Sequence, residues 1–98
     1  EIDIDTTSPI INNLNSFWRQ SGKYIYFNIS ITENNFNEVN YNYVDSHGTT
    51  REKKLCSTLK NNMCTIKKTF LRGDYDLTIN VFDEAGNSVG VPVNFAVN

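Results

Sequence analysis

The sequence predicts an all-β protein built from two packed antiparallel sheets. Apolar and polar residues alternate over short segments between turn signals, and no segment keeps a helical period for three turns. The clearest example is the last quarter of the chain, where residues 73–82 alternate, residues 83–87 read as a turn and residues 91–97 resume the alternation. This pattern is typical of two strands joined by a tight turn, the closing hairpin of an antiparallel sheet.

The first half of the chain predicts an edge strand and then a long central strand. Residues 9–14 indicate a short, irregular edge strand, because Pro9 cannot donate a hydrogen bond to a central ladder. Residues 23–32 predict the longest strand here, with alternate isoleucine and phenylalanine side chains facing a core. Trp18 is expected in the loop between these two strands.

The middle of the chain predicts three further strands. Residues 33–37 indicate a loop with Phe36 turned inward, and residues 38–44 the next strand. Residues 49–55 are polar and fit a sheet edge, and residues 63–70 fit a returning strand. The whole pattern predicts a β-sandwich of seven to eight strands, with residues 1–8 as a linker or first-strand lead-in and residues 9–98 as one domain.

The two cysteines, Cys56 and Cys64, predict a disulfide. They are eight positions apart, a spacing that suits a bond across the mouth of a short loop between two strands. A zinc site would want a Cys-x-x-Cys motif or nearby histidines, and the single His47 is expected on a loop tip. The alternative is a pair of free thiols. A disulfide favours an oxidising location, either outside the cell or in the periplasm.

Composition excludes several classes of partner. The 98-residue chain has a formal net charge of −2 and a pI of about 5.2, and Lys67 and Lys68 form only a short basic pair. We therefore expect no nucleic-acid partner, no membrane insertion and a monomeric domain. Because the chain begins with Glu1 rather than Met, it is expected to be a piece of a longer protein.

Catalysis is not expected. The sequence has no Gly-rich phosphate loop and no nucleophile elbow, and His47 has no obvious partner near it in sequence. No cofactor is expected either, apart from one possible cation. Asp3, Asp5 and Asp83 supply hard oxygen atoms that suit calcium at a joint between domains. Solvation and hydrogen bonds within the closing turn explain the same carboxylates without a metal.

Three aromatic residues are candidates for binding a glycan or a protein. Tyr24 and Tyr26 are predicted on the outward face of their strand, and Trp18 on a loop. Exposed aromatic rings on a flat sheet can stack on sugars, but cross-strand pairing or capping of the core also accounts for them. Asn28 begins an Asn-Ile-Ser glycosylation sequon and is predicted to point outward.

The end of the chain resembles immunoglobulin-like repeat domains of prokaryotic cell-surface proteins, which include fibronectin-III-like modules. The resemblance rests on the Gly73-x-Tyr75-x-Leu77 strand, the Asp83-x-Ala85-Gly86-Asn87 turn and an opening Asp/Thr/Pro segment over residues 5–10.

The resemblance implies an immunoglobulin-like β-sandwich and assigns structural roles to a few residues. Tyr75 would form a tyrosine corner through its hydroxyl group, Gly86 would adopt a left-handed conformation, and Asp83 and Asn87 would bond the turn backbone. Unlike antibody cysteines, Cys56 and Cys64 are not expected to bridge the two sheets.

The predicted function follows from the fold and the resemblance. We expect a non-catalytic, extracellular or cell-surface module that spaces or presents neighbouring domains of the same chain, often in tandem. The alternatives are an adhesive module that binds a cell-surface glycan or protein, and an accessory domain of a receptor, a surface enzyme or a membrane fusogen.

Overall fold

The computed structural model describes residues 8–44 and 47–98, and strands account for most of them. The predicted all-β class is confirmed. The eight strands are β1 (Ile10–Ile11), β2 (Trp18–Ser21), β3 (Tyr24–Thr32), β4 (Phe36–Val44), β5 (Thr50–Cys56), β6 (Met63–Thr69), β7 (Gly73–Asp83) and β8 (Ser88–Val97).

The strands form two antiparallel sheets of four strands each, as the alternation predicts. In sheet I, β3 is central, with β1 and β2 along one edge and β6 along the other. Sheet II has the order β5-β4-β7-β8, so that β7 pairs with β8 over its whole length. The long closing hairpin predicted from residues 73–97 is therefore the best-paired part of the molecule.

One apolar core lies between the two sheets. Sheet I contributes Ile25, Phe27, Ile29 and Ile31 from alternate positions of β3, and none of them is more than 1% exposed. Sheet II contributes alternate residues of β4, β7 and β8, among them Val39, Ile79, Val81 and Val93. Because side chains on a strand alternate between faces, the residues between these core positions point away from the core on each sheet's outward face.

The two ends of the described chain lie at opposite ends of the strand axis. Ile10 pairs with Thr32 at one end, which we call the entry end. Val97 pairs with Gly73 at the other, the exit end. The side-chain amide of Gln20 at the end of β2 donates to Ala96 O at 2.7 Å, which ties the two sheets together at the exit end.

Three details differ from the sequence-based expectations. Trp18 begins β2 and pairs with Phe27, so the segment expected as a loop extends the edge of sheet I. Phe36 belongs to β4, where it packs half-buried against the core, and not to the preceding loop. Cys56 and Cys64 do bridge the sheets, because β5 lies in sheet II and β6 in sheet I.

Candidate functional site

The outward face of sheet I carries a row of two cations around an aromatic ring. Arg19, Tyr26 and Lys67 lie on three adjacent strands and are direct register partners. Their side chains therefore share one face of the sheet. The Arg19 guanidinium carbon lies 4.1 Å from the centre of the Tyr26 ring, a cation–π contact.

A second ring on this face is bordered by two ammonium groups. Tyr24 lies two residues before Tyr26 and on the same side of β3. The Nζ atom of Lys67 is 5.0 Å from the centre of the Tyr24 ring, and that of Lys23 is 5.6 Å away. Both tyrosine rings are half-buried, while all three cations are exposed. We call these five residues and the surface around them the cationic face.

Asn28 continues the same face toward the entry end. Its side chain is exposed, as predicted, and its Oδ1 atom accepts a hydrogen bond from the Thr65 hydroxyl at 2.9 Å. The neighbouring backbone is fixed by Asn13, whose amide donates to Asn28 O at 2.8 Å and whose Oδ1 atom accepts from Ser30 N at 3.0 Å. The sequon therefore lies on a rigid strand, and glycosylation of Asn28 stays a prediction.

Trp18 lies on the inner side of sheet I, away from the two tyrosines. Its ring is half-buried and stands 6.0 Å from that of Phe95. Further ring contacts join Phe95 to Phe70 and Tyr75, at 5.0 and 5.1 Å, so aromatic side chains close the exit end of the core. Trp18 also lines a shallow cleft of about 120 Å³ with Arg19 and Tyr26, which is its connection to the cationic face.

Tyr75 connects this aromatic cluster to the loop before β7. Its hydroxyl group donates to Leu71 O at 2.8 Å, four residues upstream. The Tyr75 ring also stands 6.0 Å from that of Tyr43. In the same cluster, burial raises the pKa of the Tyr41 hydroxyl above its usual value, and the neighbouring Tyr43 and Tyr75 add to the effect. These rings pack against one another at the exit end of the molecule.

The closing turn between β7 and β8 is held by one carboxylate. Asp83 is only 2% exposed; its Oδ1 atom accepts from Ala85 N and Asn87 N, and its Oδ2 atom accepts from the Asn87 amide. Gly86 has a φ of 92°, which favours glycine because a Cβ atom is strained there.

The calcium hypothesis has little support among the residues that the structure describes. Both oxygens of Asp83 already accept hydrogen bonds from the turn, and Asp3 and Asp5 lie outside the described residues. Residues 8–44 and 47–98 contain no group of three or more His, Cys, Asp or Glu side chains that could hold a metal ion. Calcium at these carboxylates stays a prediction.

The outward face of sheet II carries a network of amide and carboxylate groups. The Asn80 amide donates to Asn42 Oδ1 at 2.8 Å and to Asn40 Oδ1 at 3.1 Å. Asn40 is 3% exposed, and its own amide donates to Glu38 and Glu52 at 3.2 and 3.4 Å. The network spans β5, β4 and β7, and its members satisfy one another.

The exit end also carries an open cleft of about 460 Å³. Val44 and Leu71 line it and are 65% and 83% exposed. A third cleft, of about 360 Å³, lies beside the disulfide loop and is lined by Lys60, Asn61 and Met63 among others. Tyr43, Arg72 and Asp74 also line the cleft at the exit end. Among residues 8–44 and 47–98, no helix is long and apolar enough to cross a membrane.

Sequence reasoning found the two tyrosines but missed the three cations beside them. Arg19, Lys23 and Lys67 come from three separate segments, and only the strand register brings them together. One signal was present: residues 8–32 and 57–72 contain no Asp or Glu at all.

Comparisons with protein-family models, with characterised proteins and with solved structures gave no match for this chain.

Proposed function

We propose that this chain is an immunoglobulin-like β-sandwich that serves as a non-catalytic spacer or stalk module in a larger extracellular or cell-surface protein. Two structural features support the fold assignment. The strand order places β1, β2, β3 and β6 in one sheet and β5, β4, β7 and β8 in the other, and three connections, β3–β4, β5–β6 and β6–β7, cross between the sheets. The Tyr75 hydroxyl also bonds the backbone just upstream of β7, as in a tyrosine corner.

One feature of the pairing departs from the antibody constant-type pattern. In a constant-type domain, the strand that follows the first strand of the second sheet returns to the first sheet. Here β5 follows β4, the first strand of sheet II, but stays in sheet II and pairs with β4. Variable-type domains add extra strands to the second sheet, next to its first strand. β5 occupies the equivalent position at the edge of sheet II, next to β4. The cross-sheet disulfide also joins sheet edges, between β5 and β6, and not the sheet centres.

The observation that carries the spacer function is the placement of the two chain ends. Ile10 lies at the entry end and Val97 at the exit end, so neighbouring domains attached there would extend the molecule in a line. The longest strand, β7, has 11 residues and spans about 36 Å at a rise of about 3.3 Å per residue. Exposed Val44 and Leu71 give the exit end an apolar surface on which the next domain can pack.

The same placement lets the module resist tension. A force that separates the two chain ends pulls β1 along β3 and β8 along β7, parallel to the strand axes. The hydrogen bonds between antiparallel strands run perpendicular to the strands, so they are loaded together and not one after another. The ten register pairs between β7 and β8 therefore share the load.

Single-molecule force spectroscopy tests this proposal. The chain is pulled first through its two ends and then, as a matched control, through Leu71 and Asn98, which both lie at the exit end. The control geometry opens the β7–β8 hairpin from one end, so its hydrogen bonds break one at a time. We expect a clearly higher unfolding force through the chain ends. Equal forces in the two geometries would contradict a load-bearing spacer.

An extracellular role is supported by the two cysteines. The described part of the chain holds one cross-sheet disulfide and no free cysteine, which fits an oxidising compartment.

A further inference from the structure

We propose that the cationic face binds an acidic polysaccharide. The proposal is independent of the spacer function, because it concerns the outward face of sheet I and not the chain ends. Its basis is the combination of two aromatic rings, three exposed cations and the absence of any carboxylate on the elements that build this side of the molecule.

The charged residues of the protein are distributed unevenly along its sequence. All of sheet I and the segments next to it lie within residues 8–32 and 57–72, which contain no acidic residue and six basic ones: Arg19, Lys23, Lys60, Lys67, Lys68 and Arg72. The remaining residues hold all 11 acids and only three of the nine basic residues. Although the net charge is −2, sheet I therefore presents a positive surface.

The cations of this face have no acidic partner in their own sheet. Lys23 and Lys67 both approach the Tyr24 ring, at 5.6 and 5.0 Å, and so lie near each other without a carboxylate between them from sheet I. Like charges gathered in this way repel one another, and a bound anion relieves that repulsion. Cation–π contact with the tyrosines holds the charged groups close to the surface in the free protein.

The chemistry of the face matches a charged sugar chain. Carboxylate or sulfate groups can pair with the guanidinium of Arg19 and the ammonium of Lys67. The exposed parts of the Tyr24 and Tyr26 rings offer an apolar surface for sugar C–H groups, and Asn28 and Thr65 offer polar groups for hydroxyls. The rings lie two residues apart on β3, or about 6.6 Å, so both can contact one extended chain.

An acidic polysaccharide fits the charge and chemistry of this face better than a nucleic acid does. Nucleic-acid-binding domains combine a basic surface with a high overall pI, whereas this chain has a pI of about 5.2 and a formal net charge of −2. The disulfide favours an oxidising compartment, in which acidic polysaccharides are the common polyanions.

The test uses the 98-residue chain with three polysaccharide probes, a size-defined heparin fragment, an oligogalacturonate and neutral dextran, and with single-stranded DNA as a fourth probe. Affinity is measured by titration calorimetry at two salt concentrations, and amide chemical shifts locate the site. We expect saturable binding of at least one acidic probe, weaker binding at higher salt, and shifts centred on Arg19, Tyr26 and Lys67. The comparison of heparin with galacturonate distinguishes sulfate from carboxylate as the recognised group.

Two double variants distinguish binding at the cationic face from attraction to positive charge anywhere on the protein. Arg19→Gln with Lys67→Gln removes two positive charges from the cationic face, and Lys53→Gln with Lys54→Gln removes two from β5 in sheet II. The first variant should bind the acidic probe at least 10-fold more weakly, and the second should stay within about twofold of the parent. Thermal unfolding of both variants checks that they remain folded.

Several outcomes would overturn the proposal. Equal loss in the two double variants would mean that only net charge matters, and equal binding of dextran would remove the need for an anion. Tighter binding of single-stranded DNA than of either acidic probe would assign the face to nucleic acid. If none of the probes shifts any amide of the folded protein, the cations serve only to stabilise the tyrosine rings.

Discussion

The two outward faces of this protein both carry polar groups but use them differently. On sheet II, the Asn80 amide of β7 donates to Asn40 and Asn42 of β4, and Asn40 is 3% exposed. On sheet I, Tyr24 and Tyr26 are bordered by exposed cations, and no carboxylate is present in the segments that build that sheet. One face is satisfied internally, and the other leaves its charges available to a ligand.

We expect the hydrogen-bonded amides of sheet II to stabilise the fold and the exposed cations of sheet I to bind a ligand. A buried polar network stabilises a fold only when every member has a partner, and the described residues contain no buried side-chain nitrogen or oxygen atom without one. Substitutions on sheet II are therefore expected to lower stability without changing binding. Substitutions of cations on sheet I are expected to change binding with little effect on stability, since exposed charges contribute little to folding.

The largest effect is expected from the disulfide, because it joins the two sheets that carry these faces. Replacing Cys56 and Cys64 together by alanine should lower the free energy of unfolding by about 2.5 kcal/mol, the loop-closure contribution for so short a loop. Urea unfolding of the parent and the variant measures the loss. Binding of the acidic probe by the folded variant should stay within about twofold, because neither cysteine lies on the cationic face.

Reduction of the parent provides the control for this variant. Dithiothreitol should destabilise the parent by a similar amount and leave the double alanine variant unchanged, because it has no disulfide to reduce. If the variant loses affinity in proportion to its lost stability, the two faces are not independent and the comparison fails.

The second largest effect is expected from the amide network. Asn80→Ala removes the donor for Asn40 and Asn42 and should lower the free energy of unfolding by about 2 kcal/mol, since it leaves acceptors of a largely buried network unpaired. The matched control is Asn28→Ala on sheet I, which removes one exposed hydrogen bond to Thr65 and should change stability by less than about 0.5 kcal/mol. Urea unfolding measures both losses. If Asn80→Ala and Asn28→Ala lower the free energy of unfolding equally, the polar groups of sheet II contribute no more to stability than those of sheet I.

Much of the fold could be predicted from local sequence. The alternation of residues 73–82 and 91–97 identifies β7 and β8, because a strand with one buried face must repeat every second residue. The prediction that Trp18 lies in a loop was wrong because its strand lacks this repeat. β2 has only four residues, Trp18–Ser21, and three of them are exposed, so no alternation marks it.

The candidate site could be predicted only in part, because it depends on tertiary register. Tyr24 and Tyr26 face outward by local alternation alone. Arg19 and Lys67 lie 48 positions apart and meet only because β2 and β6 flank β3. The cross-sheet path of the disulfide was missed in a similar way, since a short loop fits both a hairpin and a connection between sheets.

The smallest effect tests how tightly the sheet II network is held, at Gly90 of β8. A Cβ atom added at Gly90 would lie 3.0 Å from Asn80 Oδ1 and 3.4 Å from Thr78 Cγ2. Three acceptors, Asn40, Asn42 and Thr78 O, hold the Asn80 amide in place, so its side chain cannot move aside freely. We expect Gly90→Ala to lower the free energy of unfolding by about 1 kcal/mol, measured by urea unfolding.

The same substitution should lose its penalty once Asn80 is shortened. In the Asn80→Ala background the close contact with the amide oxygen is gone, and alanine is otherwise favoured over glycine in an unstrained strand by about 0.5 kcal/mol. Gly90→Ala should then be neutral or slightly stabilising, which gives a coupling of about 1 kcal/mol in the double-mutant cycle. An identical loss in both backgrounds would mean that Asn80 is not held rigidly. The side chains on the outward face of sheet II would then be as mobile as those of the cationic face. The two faces would differ only in their charge, and not in how firmly their polar side chains are held.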